Sequence, residues 1–260
     1  MSLLDPAIRT QRGVELRAGL TGAPSPEPAT LLDASWRDFV YAEVWSRPAL
    51  DLRARFLISL ASAAGVGDLA SAETYARGAL HKGELSLEEL REAALHTAVY
   101  AGWSCGQVLD NAVTSAATAL GLPGAKIPAI RAEPWDPAAR HTEGQENFAK
   151  VMCFGGPPPK TAYFEAGIVN FVFGEMWMRP GLDQRSRRWL TLVGVCNSSS
   201  AIPIGSHIWA AMASGNATAE EMYEFVLQYA IHAGWPRASV AQSAVMKQSE
   251  VVAKGLPFEP

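Results

Sequence analysis

Two acids, two arginines and one histidine stand where acid–base chemistry on a small acid could be built. Glu43 and Glu175 each sit inside an apolar run, FVYAEVW (39–45) and FVFGEMW (171–177). A carboxyl in such surroundings is partly buried, and its pKa rises unless a cation pairs with it. Arg47 and Arg179 follow four residues later, each between an aromatic-rich run and a Pro. Arginine holds a carboxylate through two parallel hydrogen bonds, so these turns suit a substrate bearing carboxylates. The same arginines, or Arg53/Arg55 and Arg185/Arg187, are also the obvious ion-pair partners of the two acids. Such pairing is compatible with a Glu that relays a proton. His207 lies in the apolar stretch AIPIGSHIWAAMA (201–213). An imidazole can protonate a carbanion or enolate near neutral pH, although a lone helical His more often has a structural duty.

These candidates come in pairs because the chain repeats itself. A shift of 132 residues places 39–60 on 171–192 with eleven of 22 positions identical, among them Glu43/Glu175, Trp45/Trp177, Arg47/Arg179 and Asp51/Asp183. The same shift matches Gly83 to Gly215, Glu92 to Glu224, and the Ala-Gly-Trp at 101–103 to that at 233–235. An ungapped match of this length points to a duplicated and fused unit. Two copies are too few for a solenoid, so two subdomains are expected to pack on each other or on other chains.

The elements that position the candidates read as helices. Ser86/Glu89 and Thr218/Glu221 have the spacing of capping boxes, and the apolar residues after each recur at helical spacing. Asp51 and Asp183 are suited to N-caps. Both Ala-Gly-Trp segments read as helix stops with a left-handed glycine, and Trp103 and Trp235 read as packing anchors. Nothing alternates with period two, so the class is all-α. The expected organisation is an N-terminal arm and linker (1–34), a first repeat (35–120), a linker with a short helix (121–160) and a second repeat (161–254).

Composition narrows the function. The chain has 260 residues, 48% apolar and 18% charged, enough for a sizeable core, with a net charge of −4. No basic stripe suited to nucleic acid is present, and no apolar run approaches the roughly 20 residues of a membrane span. The N-terminus lacks the apolar core of a signal peptide. Cys105, Cys153 and Cys196 are too widely spaced for a disulfide framework or a CxxC site. Cys196 reads as a small buried hydrophobe. The expectation is a cytoplasmic protein without a CxxC metal or redox motif.

The segments FGEMWMRPGLDQRSRRWLTL (173–192), Ser206-His207, GNATAEE (215–221) and VLQYAIHAGWPRA (226–238), with their first-repeat counterparts, resemble the carboxymuconolactone decarboxylase family of the alkylhydroperoxidase-like superfamily. The resemblance covers about two thirds of the chain. It implies two alkylhydroperoxidase-like helical repeats fused in tandem, no cofactor, and assembly into a ring, for a tandem chain a homotrimer. The redox branch of the superfamily carries a CxxC, a following His and a preceding Glu. Anchored on His207, those positions hold Ser200, Pro203 and Arg188. Anchored on Tyr75, they hold Asp68, Ser71 and Phe56. A thiol peroxidase needs a low-pKa thiolate and usually a resolving partner, so that activity is not expected.

The resemblance also aligns His207 with the His of the decarboxylase branch, while the first repeat has Tyr75 in its place. It implies His207 as general acid, Glu175 as the group that orients or recharges it, and Arg179 as the grip on a substrate carboxylate. Tyr75, Glu43, Arg47, Trp177 and Trp209 complete the expected binding surface. The reaction so implied is cofactor-independent decarboxylation of a carboxylated lactone or activated keto acid. The rival readings are isomerisation, lactone opening or another proton transfer, and a non-catalytic helical protein that binds a small acid. The Arg188-Trp189 pair on a core helix departs from expectation and would reshape the pocket.

Overall fold

The structure is a computed structural model that describes residues 4–131, 136–156 and 158–259. Eleven α-helices run through them. The first half has α1 (Pro6–Thr21), α2 (Leu31–Ser35), a π-helix (Trp36–Trp45), α3 (Leu52–Gly65), α4 (Leu69–Lys82), α5 (Leu87–Ala101) and α6 (Trp103–Ala119). The second has α7 (Pro137–Met152), a π-helix (Tyr163–Phe173), α8 (Gln184–Asn197), α9 (Ala201–Ala213), α10 (Ala219–Ala233) and α11 (Trp235–Ala253). No strand occurs among the described residues, and none of their helices is long and apolar enough to cross a membrane.

The caps form where the sequence places them. Asp51 Oδ1 accepts from the Ala54 amide at 2.7 Å, and Asp183 Oδ1 from the Ser186 amide at 2.8 Å. Both capping boxes close. With matched starts, α3 and α8 share the 132-residue register at both ends, as do α5 and α10.

The repeated architecture reaches further than the sequence match. α1 and α7, read from sequence as an arm and a linker helix, lie against their π-helices in the same way. A Cβ at Gly13 would stand 2.2 Å from the Arg37 carbonyl oxygen, and one at Gly144 would stand 2.1 Å from that of Val169. Only glycine permits so close an approach.

The Ala-Gly-Trp segments end α5 and α10 as expected, but not through a left-handed glycine cap. Gly102 (φ 95, ψ 152) and Gly234 (φ 83, ψ 153) have positive φ, but their ψ is outside the left-handed helical region. This backbone is essentially restricted to glycine. Each glycine ends one helix and begins the next with no loop between. Nor do the tryptophans anchor the core: Trp103 is 63% exposed and Trp235 57%. Each lies against the other half, Trp103 stacked on Phe171 and Trp235 tilted on Phe39, both at 6.1 Å.

The two halves interlock. α3 packs on α8 and α10, and α8 packs on α3 and α5. One apolar core draws on both halves. A smaller cluster gathers Val151, Met152, Phe173, Trp177, Trp209 and Ala210 in the second half, beside the largest cavity.

Candidate active site

The arginines settle first. Arg179 donates through Nε to both oxygens of Glu92, at 3.0 and 2.9 Å. Arg187 Nη2 reaches the same carboxylate at 3.2 Å. The counterpart cluster is Glu224 with Arg47 Nε at 2.8 Å and Arg55 Nη2 at 3.1 Å. Each acid comes from one repeat and its cations from the other. Burial pushes the pKa of Glu92 up, but the hydrogen bonds and charges of Arg179 and Arg187 outweigh it and hold the carboxyl below its ordinary value. Glu224 is held down in the same way by Arg47 and Arg55. Arg47 and Arg179, expected to bind substrate, therefore bolt the halves together, because their forks are filled by glutamates of the opposite repeat.

Glu43 and Glu175 also lie apart from a common site. Glu43 pairs with Arg9 at 3.2 Å. Glu175 pairs with Arg131 at 3.4 Å and lines a recess of about 230 Å³ together with Arg179 and Pro180. The chain turns after Gly174 into a short 3-10 helix (Met176–Met178). That turn sends Trp177 into the cavity's supporting layer and leaves Glu175 among the residues of this other recess. Glu175 thus lines a different recess from His207.

That cavity measures about 820 Å³ and is framed by α5, α7, the second π-helix, α8, α9 and the C-terminal tail. Ser200, Pro203 and His207 face it from α9 at helical spacing, and Tyr100 enters from the last turn of α5. Tyr100 fits because residue 194 is glycine: a Cβ there would stand 2.6 Å from the tyrosine Cβ. Phe148, Phe154, Phe164, Phe173 and Phe258 are the aromatic part of the remaining wall, with Met152, Ile168, Val172 and Ile202 among its aliphatic part. Trp177 donates Nε1–H to the Tyr100 hydroxyl at 2.7 Å, and Trp209 underlies Phe154 and Phe258, both at 6.1 Å. The two tryptophans support the cavity from behind.

His207 presents its ring edge-on to Tyr100, with centroids 5.6 Å apart, and its Nδ1 is buried without a hydrogen-bond partner among the described residues. Burial, and then the charge of Arg188, push its pKa down to about 3. The expectation of an imidazolium ready at neutral pH is thereby corrected: without a bound anion the ring is neutral. Tyr100 is pushed up to about 12 by burial and stays a phenol. Cys196 is buried and likewise pushed up to about 12, so it is no ready nucleophile.

The first repeat has the same pair with the residues exchanged. Tyr75, counterpart of His207, shares a 3.1 Å hydrogen bond with His232 Nε2, counterpart of Tyr100. Here the rings fill the space. Tyr75 is buried, stacks on Trp45 and lines only a recess of about 200 Å³. Sequence reasoning missed Tyr100 as a site residue. The signal was present, because the 132-residue register sets Tyr75 against His207 and Tyr100 against His232.

Comparison with known proteins agrees with this architecture. The family model "Carboxymuconolactone decarboxylase family" matches residues 31–105 and 162–247, one match in each half. The chain belongs to that family. A 4-carboxymuconolactone decarboxylase of Acinetobacter baylyi is 31% identical over 97 residues, 37% of this chain and 69% of that protein. A nitrosuccinic acid decarboxylase of Metarhizium robertsii is 37% identical over 89 residues, 34% of this chain and 62% of that protein. The second match spans less than two thirds of its relative's length.

Proposed function

We propose that the protein is a cofactor-independent decarboxylase acting on a carboxylated lactone or an activated keto acid, with its reaction at the His207 cavity. The observation that carries this reading is the placement of His207 and Tyr100 side by side in the wall of a large, otherwise mostly apolar cavity. The names of the relatives support the same reaction type.

In such a reaction the bond from carbon to the carboxylate breaks and carbon dioxide leaves. The electron pair spreads into the neighbouring carbonyl or unsaturated lactone, and the carbon then takes a proton. An apolar wall disfavours the localised carboxylate relative to the spread charge of the transition state. His207, neutral before binding, gains basicity when a bound anion adds negative charge beside it. It can then take up a proton and deliver it to the enolate carbon. Tyr100 remains a phenol through the cycle, a hydrogen-bonding group rather than a base. The same acid–base set would serve isomerisation or lactone opening, while the phenylalanine-rich wall also suits a protein that only binds.

The deciding experiment is carbon dioxide release from 4-carboxymuconolactone and from a panel of β-keto acids, with wild type beside His207→Ala. Release by wild type that is lost in the variant supports the reading. No release from any of these acids by wild type overturns it.

We further propose a homotrimeric ring. The exposed Trp103 and Trp235, each against a phenylalanine of the other half and repeated 132 residues apart, offer two equivalent apolar contacts per chain.

A further inference from the structure

Three arginines are entirely or almost entirely buried in the core, and one of them has no carboxylate. Arg55 and Arg187 are answered by Glu224 and Glu92. Arg188 has no ion-pair partner among the described residues. Its Nη2 donates to the Val151 carbonyl at 2.6 Å, and its Nε makes a long contact of 3.4 Å with Asn216 Oδ1. Its Nη1 is buried with no acceptor. A buried cation without a counter-charge is costly, and removal from water is not repaid by two neutral acceptors.

The fold does not require that cation. In the first repeat the same position is Phe56, equally buried, whose ring lies 5.1 Å from Trp45. In the second repeat the Arg188 guanidinium lies 5.1 Å from the centre of the Trp177 ring. One architecture thus holds an apolar ring in the half whose site is closed and an uncompensated charge in the half whose site is open. The charge does not line the cavity; it stands one layer behind it, over the buried Trp177. Trp177 links it to Tyr100, Val151 adjoins the cavity residue Met152, and its field depresses the basicity of His207.

The cavity's size adds a second constraint. At about 820 Å³ it is near the upper end of typical small-molecule sites, with far more room than a compact one-ring lactone fills. Its wall of phenylalanines asks for a flat or bulky apolar partner.

We propose that Arg188 is the anion anchor of this site and that it selects amphipathic carboxylates, one anionic head on a large ring-bearing apolar body. The inference rests on the reading of the His207 cavity as the active site and narrows its substrate class. The carboxylate supplies, from the cavity, the counter-charge that Arg188 lacks: the guanidinium is fully buried and acts through its field rather than by contact, while the body lies against the phenylalanines.

The test uses the full chain and three probes by calorimetry: 2-naphthoate, the uncharged 2-naphthamide, and acetate as a head without a body. Wild type is expected to bind naphthoate at least about tenfold more tightly than the amide, the range of an opposite-charge interaction across a few ångströms of protein interior, and far more tightly than acetate. Arg188→Met and Arg188→Phe, the latter copying the first repeat, are expected to lose the preference for acid over amide while keeping their melting temperature. Arg188→Lys is expected to retain part of it. Equal affinity of wild type for acid and amide overturns the proposal, as does an unchanged preference in Arg188→Met. The wild-type comparison decides by itself should the variants fail to fold. A wild type that prefers naphthoate but releases carbon dioxide from no activated acid keeps the anchor and ends the decarboxylase reading.

Discussion

Tyr100 meets His207 edge-on at 5.6 Å and 85°, and this pair is the image of Tyr75 against His232 at 5.7 Å and 90°. Duplication has kept the Tyr–His pair in both sites and exchanged which repeat gives which residue. The difference lies in the surroundings. Stacking on Trp45 and the hydrogen bond to His232 immobilise Tyr75 in a filled space, whereas His207 borders open volume. One working site per chain is the expected outcome. His207→Ala is expected to lower kcat/KM by about 100-fold or more, the scale of a lost general acid, and Tyr75→Phe to leave it unchanged. Steady-state kinetics of the two variants on any accepted acid check this.

Glu175 provides a sharp control. It pairs with Arg131 in a recess separate from the cavity. Glu175→Gln should leave the pH dependence of kcat where it is in wild type. A displaced kinetic pKa in that variant would return Glu175 to the proton path.

The crossed ion pairs make the two halves one folding unit. Glu92→Gln leaves Arg179 and Arg187 without their counter-charge and is expected to cost about 3–5 kcal/mol, the usual penalty for breaking a buried pair. Glu224→Gln should behave alike through Arg47 and Arg55. Denaturant unfolding should show one transition, shifted as a whole. Two separate transitions would contradict the interlocked core.

Acid should destabilise the protein over a defined range. Burial lowers the pKa of His232 to about 4 and that of His207 to about 3, both below the ordinary 6.5. Between those values and 6.5 the unfolded chain binds more protons than the folded one, so stability falls as pH drops through this window. Glu92 and Glu224, with lowered pKa values, lose their contribution in the same direction at still lower pH. His207→Phe should flatten the decline of melting temperature between pH 6.5 and 4, with a gain of up to about 3 kcal/mol at the acid end.

Much of the fold was legible because its signals are local. Capping boxes, the N-cap aspartates and the 132-residue register fix α3, α5, α8 and α10 without reference to the rest of the chain. The ion pairs were not legible, since a sequence suggests partners nearby and these cross between repeats: Arg47 finds Glu224, and Arg179 finds Glu92. The direction of Glu175 depends on one short 3-10 turn. The charge state of His207 depends on burial by residues from several elements, which no spacing encodes. Arg188 was visible as an anomaly, and the structure supplied its reason by leaving it unpaired beside the cavity.

Proton uptake on binding distinguishes an acid from a bystander at position 207. The ring is neutral at neutral pH in the empty site, with its pKa at about 3. A carboxylate bound in the cavity both offsets the field of Arg188 that lowers this pKa and adds an anion that raises it. Binding of 2-naphthoate should therefore take up a fraction of a proton, larger at pH 5.5 than at pH 7.5. Titrations in two buffers of different ionisation enthalpy measure that fraction directly. His207→Ala should abolish the uptake while naphthoate still binds through Arg188. Uptake that survives in the variant would assign the proton to another group, and no uptake at either pH would leave His207 neutral throughout and unable to act as the acid.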